Sequence, residues 1–125
     1  MTTTVEFLAA PVGLEPLRDF QLSPVDGADH LYALRSLADP DVRLYLLDGM
    51  LFPSYAPELT DEQAAELALR SSDDAALYLV VNPSTAQMTV NLLAPIVVNA
   101  RSGRAAQVIL EDKTWSIAAP LSGLI

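Results

Sequence analysis

The sequence predicts a mostly β protein, a single-domain antiparallel β-barrel or sandwich with one short helix. Nine prolines are spread along the 125 residues and interrupt helices repeatedly. Several short β-rich runs bounded by turn residues lie between them. Apolar residues make up 51% of the chain and charged residues 18%, so there is ample apolar surface for a hydrophobic core. The length suits one domain, residues 1–125, rather than two.

Short strands are predicted before and after a single helix in the sequence. Alternation in the run Val42–Leu47 is only partial, which indicates burial on both faces of the sheet. Gly103, in a four-residue connection, favours a hairpin over Ile96–Leu110. The predicted strands are Thr4–Leu8, Arg18–Leu22, Leu31–Leu37, Val42–Leu47, Ala76–Val81, Gln87–Leu93, Ile96–Asn99, Gln107–Leu110 and Thr114–Ala118.

The one predicted helix covers Thr60–Arg70. Thr60 and Gln63 have capping-box spacing, so their side chains can satisfy main-chain N–H groups of the first turn. Asp61 and Glu62 fall in that turn, where the helix dipole favours negative charge. The side chains expected to face the core are Ala64, Leu67 and Ala68.

Negative charge is concentrated in the first part of the chain. The formal net charge is −9; residues 1–74 hold 14 acidic and 4 basic side chains, and residues 75–125 hold 2 and 3. Because phosphate backbones would be repelled, we expect no direct nucleic-acid binding. The charge either attracts a basic protein partner or only keeps the chain soluble, and composition leaves both open.

The chain offers few groups for catalysis or metal binding. It has no cysteine, which excludes disulfides and thiolate sites. The single histidine, His30, has no second histidine to assist it, so we expect it at the surface or at a strand edge. Acidic pairs such as Asp61 and Glu62 lie beside turn or helix-cap signals, where solvated carboxylates are ordinary. We therefore expect no enzyme activity, no metal and no cofactor.

No segment has the properties of a signal peptide or a membrane helix. Residues Met1–Phe7 lack both a basic region and a long apolar run. The longest apolar stretches, Ala75–Val81 and Leu92–Val98, are far shorter than the roughly 20 residues a membrane helix needs. A cytoplasmic protein without membrane contact is the expectation.

The stretch Asn91–Asn99 carries a resemblance to a known family. It reads Asn-Leu-Leu-Ala-Pro-Ile-Val-Val-Asn, and Gly103-Arg-Ala-Ala-Gln107 follows it. Upstream lie Leu34-x-Ser36-Leu37, Pro40 and Phe52-Pro-Ser-Tyr55. In order and spacing these pieces resemble the FliW family. The chain departs from the family pattern near its start, at Ala10, Pro11 and Leu14, and at Gly49, where the family has proline.

This resemblance implies a regulatory binding protein. FliW proteins bind flagellin in the cytoplasm, and they also bind CsrA, the small RNA-binding repressor of flagellin translation. The two partners engage FliW in alternation. The resemblance therefore implies a flagellar assembly factor that binds flagellin, antagonises CsrA and so controls flagellin synthesis. We expect it to be a monomer when unbound.

Two groups of residues are candidates for partner contact. The first lies in the Asp48–Glu62 region, where carboxylates surround aromatic residues that can anchor a basic partner such as CsrA. The second lies in Asn91–Asn99, where a proline breaks the sheet ladder and asparagine amides can hold the irregular backbone. That motif either contacts a partner or only builds the barrel. The candidates are Asp48, Phe52, Tyr55, Glu58, Asp61, Glu62, Asn91, Pro95 and Asn99.

Two other classes of function remain open at this point. A small ligand-binding or enzymatic β-barrel domain predicts an internal pocket with convergent polar groups. A subunit of an unrelated assembly predicts a large exposed apolar patch.

Overall fold

A computed structural model describes residues 2–52, 54–82, 88–112 and 114–121. Nine strands and one α-helix follow one another within these ranges, with short 3-10 turns at Gly49–Leu51 and Ser72–Asp74. Helix α1 spans Asp61–Glu66. The strands are β1 (Thr3–Phe7), β2 (Asp19–Pro24), β3 (Leu31–Ser36), β4 (Arg43–Asp48), β5 (Ala75–Asn82), β6 (Thr89–Val90), β7 (Ile96–Asn99), β8 (Arg104–Gln107) and β9 (Ala119–Pro120).

Seven of the strands close into a barrel. Their order is β4-β3-β2-β1-β8-β7-β5, and β5 pairs again with β4 to complete the ring. The described pairings are antiparallel except β1 with β8, where Glu6 lies opposite Arg104 in a parallel pair. Strand β6 pairs with the end of β5 and carries β9 beyond the ring. The prediction of a mostly β barrel with one short helix is confirmed.

Apolar side chains fill the barrel and also cover part of its outside. Leu46 packs in the interior, whereas its neighbour Leu47 packs outside against Phe52 and Leu79. This confirms the predicted burial on both faces of β4, and each buried leucine contributes roughly 1.5–3 kcal/mol. The buried interior cluster contains Val5, Phe7, Phe20, Leu22, Leu34, Leu46, Ile96, Val98 and Ala105.

Two stretches of chain form an outer layer over β5 and β7. One follows β4 and contains helix α1, and the other follows β8. Leu67 of the first stretch and Val108 and Leu110 of the second bury Val97 of β7. The rings of Tyr55 and Trp115 meet edge to face, with their centroids 4.8 Å apart. The two stretches therefore pack on each other as well as on the barrel.

Helix α1 begins as predicted but ends earlier than predicted. The main-chain N–H of Gln63 donates to the Thr60 hydroxyl at 3.1 Å, and the Gln63 amide oxygen accepts from the Thr60 N–H at 2.8 Å. The predicted capping box is thus confirmed. The predicted end at Arg70 is wrong, because Ala68 has a left-handed backbone with φ of 55° and cannot continue the helix. Leu67 is buried as expected, but Ala68 is exposed.

The predicted strands of the second half are only partly correct. Ile96–Asn99 is confirmed, and so is its hairpin with β8. The prediction of Gln107–Leu110 is wrong, because the strand starts at Arg104, where β1 pairs with it, and ends at Gln107. Gln87–Leu93 is reduced to Thr89–Val90, with Gln87 outside the described residues, and Thr114–Ala118 is not a strand. Within the described ranges, no helix is long and apolar enough to cross a membrane.

Candidate partner-binding site

Asn91 holds the bend that precedes strand β7. Its side-chain oxygen accepts from the main-chain N–H groups of Leu93 and Ala94, both at 3.0 Å. The chain then reaches Pro95, which is buried and whose carbonyl accepts from the Val108 N–H at 2.9 Å. Residues 92–94 lie outside any strand, so the N–H groups of Leu93 and Ala94 use the asparagine oxygen as their acceptor. The predicted bend, held by an asparagine amide, is confirmed.

Asn99 has a similar role at the other end of β7. Its side-chain nitrogen donates to the carbonyls of Leu67 and Ala68, at 2.9 and 3.3 Å. Its side-chain oxygen accepts from the N–H groups of Arg101 and Ser102, at 2.9 and 3.3 Å. The residue is only 1% exposed, so a partner has no access to it in this structure. The geometry supports the alternative in which the motif builds the barrel.

A groove lined by carboxylates runs along one side of the segment that carries helix α1. This α1 segment, residues 55–69, faces the chain that follows β8 across two hollows of about 430 and 320 Å³. The hollows meet at Thr60 and Glu111 and form what we call the acidic groove. Its carboxylates are Glu58, Glu62, Glu66, Glu111 and Asp112. Among the described residues, no lysine or arginine lines it.

Local structure fixes the direction of these carboxylates. Glu62 and Glu66 are four residues apart on α1 and so lie on the same face of the helix. The capping box sets where that helix begins, and the Gln63 side-chain nitrogen donates to the carbonyl of Ile109 at 3.4 Å. This contact brings the chain after β8 beside the helix, so that Glu111 and Glu62 line the same hollow. Apolar side chains such as Leu67, Val108 and Ile109 line the groove together with the carboxylates.

Asp112 remains charged at one end of the acidic groove. Its carboxylate accepts from the hydroxyl of Thr114 at 2.6 Å and from the Thr114 N–H at 3.0 Å. These hydrogen bonds, the one from the hydroxyl first, hold the pKa of Asp112 below its usual value. The acidic groove therefore combines negative charge with apolar side chains in one lining.

A family model described as "FliW protein" matches residues 2–121. The chain belongs to the FliW family. The predicted family resemblance is thereby confirmed.

Several curated relatives of this FliW-family chain are named flagellar assembly factor FliW. The protein of Syntrophotalea carbinolica is 32% identical over 120 residues, covering 94% of this chain and 86% of its own length. That of Symbiobacterium thermophilum is 32% identical over 125 residues, covering 97% and 91%. A solved structure, "Crystal structure of the flagellar assembly factor FliW", matches with a TM-score of 0.86 and 26% identity, covering 94% of this chain and 84% of that one. These similarities support a role in flagellar assembly.

The structure separates the residues predicted from the Asp48–Glu62 region. Glu58 and Glu62 lie together in the acidic groove, whereas Asp61 is exposed but does not line it. Phe52 is 3% exposed and packs in the core, so almost none of its ring is available at the surface. Asp48 lies on the other side of the α1 segment, where its carboxylate accepts from the Met50 N–H at 2.9 Å.

Tyr55 is half-buried and contacts, from outside the barrel, the Asn91–Asn99 stretch, which is the FliW signature. Its hydroxyl donates to the main-chain carbonyl of Leu92, and its ring packs on Trp115. Burial raises the pKa of the Tyr55 hydroxyl, so it stays protonated and remains a donor. Tyr55 therefore acts first as a structural contact.

Three carboxylates of the acidic groove were not among the predicted partner-binding residues. Glu66 could have been found, because its four-residue spacing from Glu62 puts both on one helix face. Glu111 and Asp112 carry no such local signal, since only the tertiary fold brings the chain after β8 beside helix α1.

The barrel interior gives little support to the ligand-binding alternative. The hollows of the acidic groove are lined by outer residues, and the buried interior cluster contributes to neither. Within the described part of the chain, every buried side-chain nitrogen and oxygen has a hydrogen-bond partner. The same residues hold no group of three or more histidine or acidic side chains placed to bind a metal ion. His30 is exposed, at a turn before β3, as predicted.

Proposed function

We propose that the chain is a non-enzymatic flagellar assembly factor that works in the cytoplasm by binding flagellin and antagonising CsrA. Membership of the FliW family supports the assembly role. The acidic groove carries the proposal for CsrA, because an RNA-binding repressor presents basic surface. Five carboxylates and the apolar side chains that line the groove with them offer that surface both charge and packing.

The antagonism follows from the sign of the charge. Carboxylates of the acidic groove attract the lysine and arginine side chains that CsrA would otherwise turn towards RNA phosphates. Long-range attraction accelerates the encounter, and the apolar side chains of the groove, including the exposed Ile109, contribute to the lifetime of the complex. A chain of net charge −9 docked on CsrA also repels RNA. The same repulsion between copies fits a monomer when unbound.

A charge-removal variant tests the acidic groove directly. Glu62→Gln, Glu66→Gln and Glu111→Gln together remove three charges while keeping the size of each side chain. The matched control is Asp26→Asn, Asp29→Asn and Asp41→Asn, which removes the same net charge from exposed positions away from the groove.

Association with purified CsrA should be measured by stopped-flow fluorescence at several salt concentrations. We expect the groove variant to associate about threefold or more slowly at low salt, and to approach the parent rate at high salt as screening shortens the Debye length. The control variant should change the rate much less. Equal slowing by both variants would mean that net charge, not the acidic groove, attracts CsrA.

Flagellin binding is tested by competition. If the two partners engage the chain in alternation, saturating flagellin should release CsrA from a preformed complex in size-exclusion chromatography. A stable ternary complex would contradict alternation while leaving the acidic groove as a CsrA site.

A further inference from the structure

A second groove lies on the opposite side of the α1 segment. It consists of two hollows of about 490 and 440 Å³ that meet at Ala75 and Leu77, on the outer face of β5. We call it the apolar groove. Aliphatic side chains dominate its first hollow, namely Pro57, Leu59, Leu69, Leu77 and Val97.

Small residues leave this space open. Ala64 of helix α1, Ala75 and Ala76 of β5, and Ala100 line the hollows where larger side chains would fill them. At one edge stands Met50, which is 86% exposed although its side chain is apolar and flexible. An unbranched thioether at the rim of an open apolar groove can adapt to the surface of a partner.

The charged residues of the apolar groove give it a direction. Asp48 and Asp73 line the hollow near Met50, whereas Arg70 lines the other hollow. A segment lying along the groove therefore meets negative charge at one end and positive charge at the other. Leu59 is the one lining residue that the apolar groove shares with the acidic groove. The two grooves also differ in charge, because the charged residues described in the lining of the acidic groove are all carboxylates.

We propose that the apolar groove binds an amphipathic segment of a partner protein. Aliphatic side chains of that segment occupy the two hollows, a lysine or arginine lies beside Asp48 and Asp73, and a carboxylate lies beside Arg70. Charge complementarity along the groove selects this occupant and its orientation. A second copy of the chain is disfavoured, because two molecules of net charge −9 repel each other. The proposal does not depend on CsrA binding in the acidic groove.

A designed peptide is the probe for this proposal. It is an amphipathic helix with leucines on one face, lysines at one end and glutamates at the other. A length of about 16 residues gives it roughly four turns. Two comparison peptides carry serine in place of leucine, or the lysines and glutamates exchanged. Binding to the full chain is followed by NMR with alanine-methyl labelling. Ala75 and Ala100 report on the apolar groove, and Ala106 reports on the acidic groove.

We expect the peptide to shift the methyl signals of Ala75 and Ala100 and not that of Ala106. Met50→Lys should weaken binding about tenfold, because it places a cation beside the lysine end of the peptide. Met88→Lys is the control, since Met88 is also exposed but lines neither groove. Both substitutions are at exposed positions and should leave the fold intact.

Several results would overturn the proposal. Shifts confined to Ala106, or equal binding by the serine peptide, would mean that the acidic charge alone attracts the probe. Equal binding by the charge-exchanged peptide would remove the assigned orientation. An unchanged affinity of the Met50→Lys variant for the peptide would exclude the apolar groove as the binding site. Concentration-dependent shifts of Ala75 in the unliganded protein, with a dimer in sedimentation, would assign the groove to a second copy.

Discussion

The side-chain amide of Asn99 donates a hydrogen bond to the main-chain carbonyl of Leu67 at 2.9 Å, and this contact joins strand β7 to the end of helix α1. The same side chain accepts from Arg101 and Ser102 and so holds the turn into β8. One buried asparagine thus fixes both the barrel hairpin and the segment that separates the two grooves. Asn99 of the Asn91–Asn99 stretch is therefore buried itself, yet it positions the α1 segment that lines both grooves.

Asn99→Ala should therefore lower the free energy of unfolding by about 2–3 kcal/mol, because several main-chain groups lose their partner in a buried site. Urea denaturation followed by Trp115 fluorescence measures it. Asn82→Ala is the matched control: Asn82 is exposed, and its loss should cost less than about 0.5 kcal/mol. Similar losses in the two variants would contradict the bridging role of Asn99.

Gly103 tests the close approach of the chain before β8 to strand β1. Its φ is +80°, and an added Cβ would lie 2.8 Å from the carbonyl oxygen of Thr4. Gly27 has a nearly equal φ of +79° but open space around it. Gly27→Ala should thus lower the free energy of unfolding only by the strain of a left-handed backbone, about 1–2 kcal/mol. Gly103→Ala should lower it clearly more, because the added Cβ also meets the Thr4 carbonyl. Thermal unfolding of the two variants compares them; equal losses would mean that the parallel contact with β1 adjusts freely.

Tyr55→Phe tests the contact between the α1 segment and the FliW signature. At neutral pH the variant loses the hydrogen bond to the Leu92 carbonyl, which should cost about 1 kcal/mol. Tyr45→Phe, on an exposed tyrosine of β4, is the control and should cost little.

The same tyrosine predicts a dependence of stability on alkaline pH. Burial raises the pKa of Tyr55 in the folded state above that of an unfolded tyrosine, which is about 10. Stability from this group is therefore complete below about pH 10 and is lost as the pH rises further, because the unfolded chain ionises first. The loss should be smaller in Tyr55→Phe, with the remainder due to Tyr78, whose pKa burial also raises. Denaturation midpoints from pH about 8 upward check this; an unchanged pH profile would contradict it.

Local sequence was sufficient where one pattern determined the structure. Ile96–Asn99 is a short β-branched run between turn signals, and it is a strand with those bounds. The capping box of Thr60 and Gln63 likewise set the start of α1. Local sequence failed where tertiary contacts decide: nothing near Ala68 signals its left-handed backbone, and β8 lies at Arg104 because β1 pairs with it there.

The candidate site shows the same division. The acidic excess before residue 75 draws attention to Glu58 and Glu62, and both line the acidic groove, but Glu111 joins them only through the packing of the chain after β8. Phe52 was expected at the surface because an aromatic residue beside carboxylates suits an interface. It is instead needed to cover Leu47 and Leu79 on the outside of the barrel, which the sequence pattern does not reveal.

His30 provides a test of the non-enzymatic assignment. It is exposed and has a left-handed backbone with φ of 66°, a conformation that asparagine also tolerates. His30→Asn therefore removes the imidazole with little backbone strain, and motility of cells that carry the variant should remain normal. Loss of motility with an unchanged melting temperature would reopen an enzymatic function for the barrel.

The neighbours Asp61 and Glu62 separate the acidic groove from the charge of the segment as a whole. Both lie in the first turn of α1, where the helix dipole favours negative charge. Replacing either by lysine should therefore destabilise the helix by a similar amount, roughly 0.3–1 kcal/mol. Only Glu62 lines the acidic groove. Glu62→Lys should slow association with CsrA more than Asp61→Lys at low salt, and the difference should shrink at high salt because exposed charges are then screened. Stopped-flow measurement of both variants decides it. Equal slowing would assign the attraction to the segment's net charge, and no slowing in either would make this segment only a solvated face.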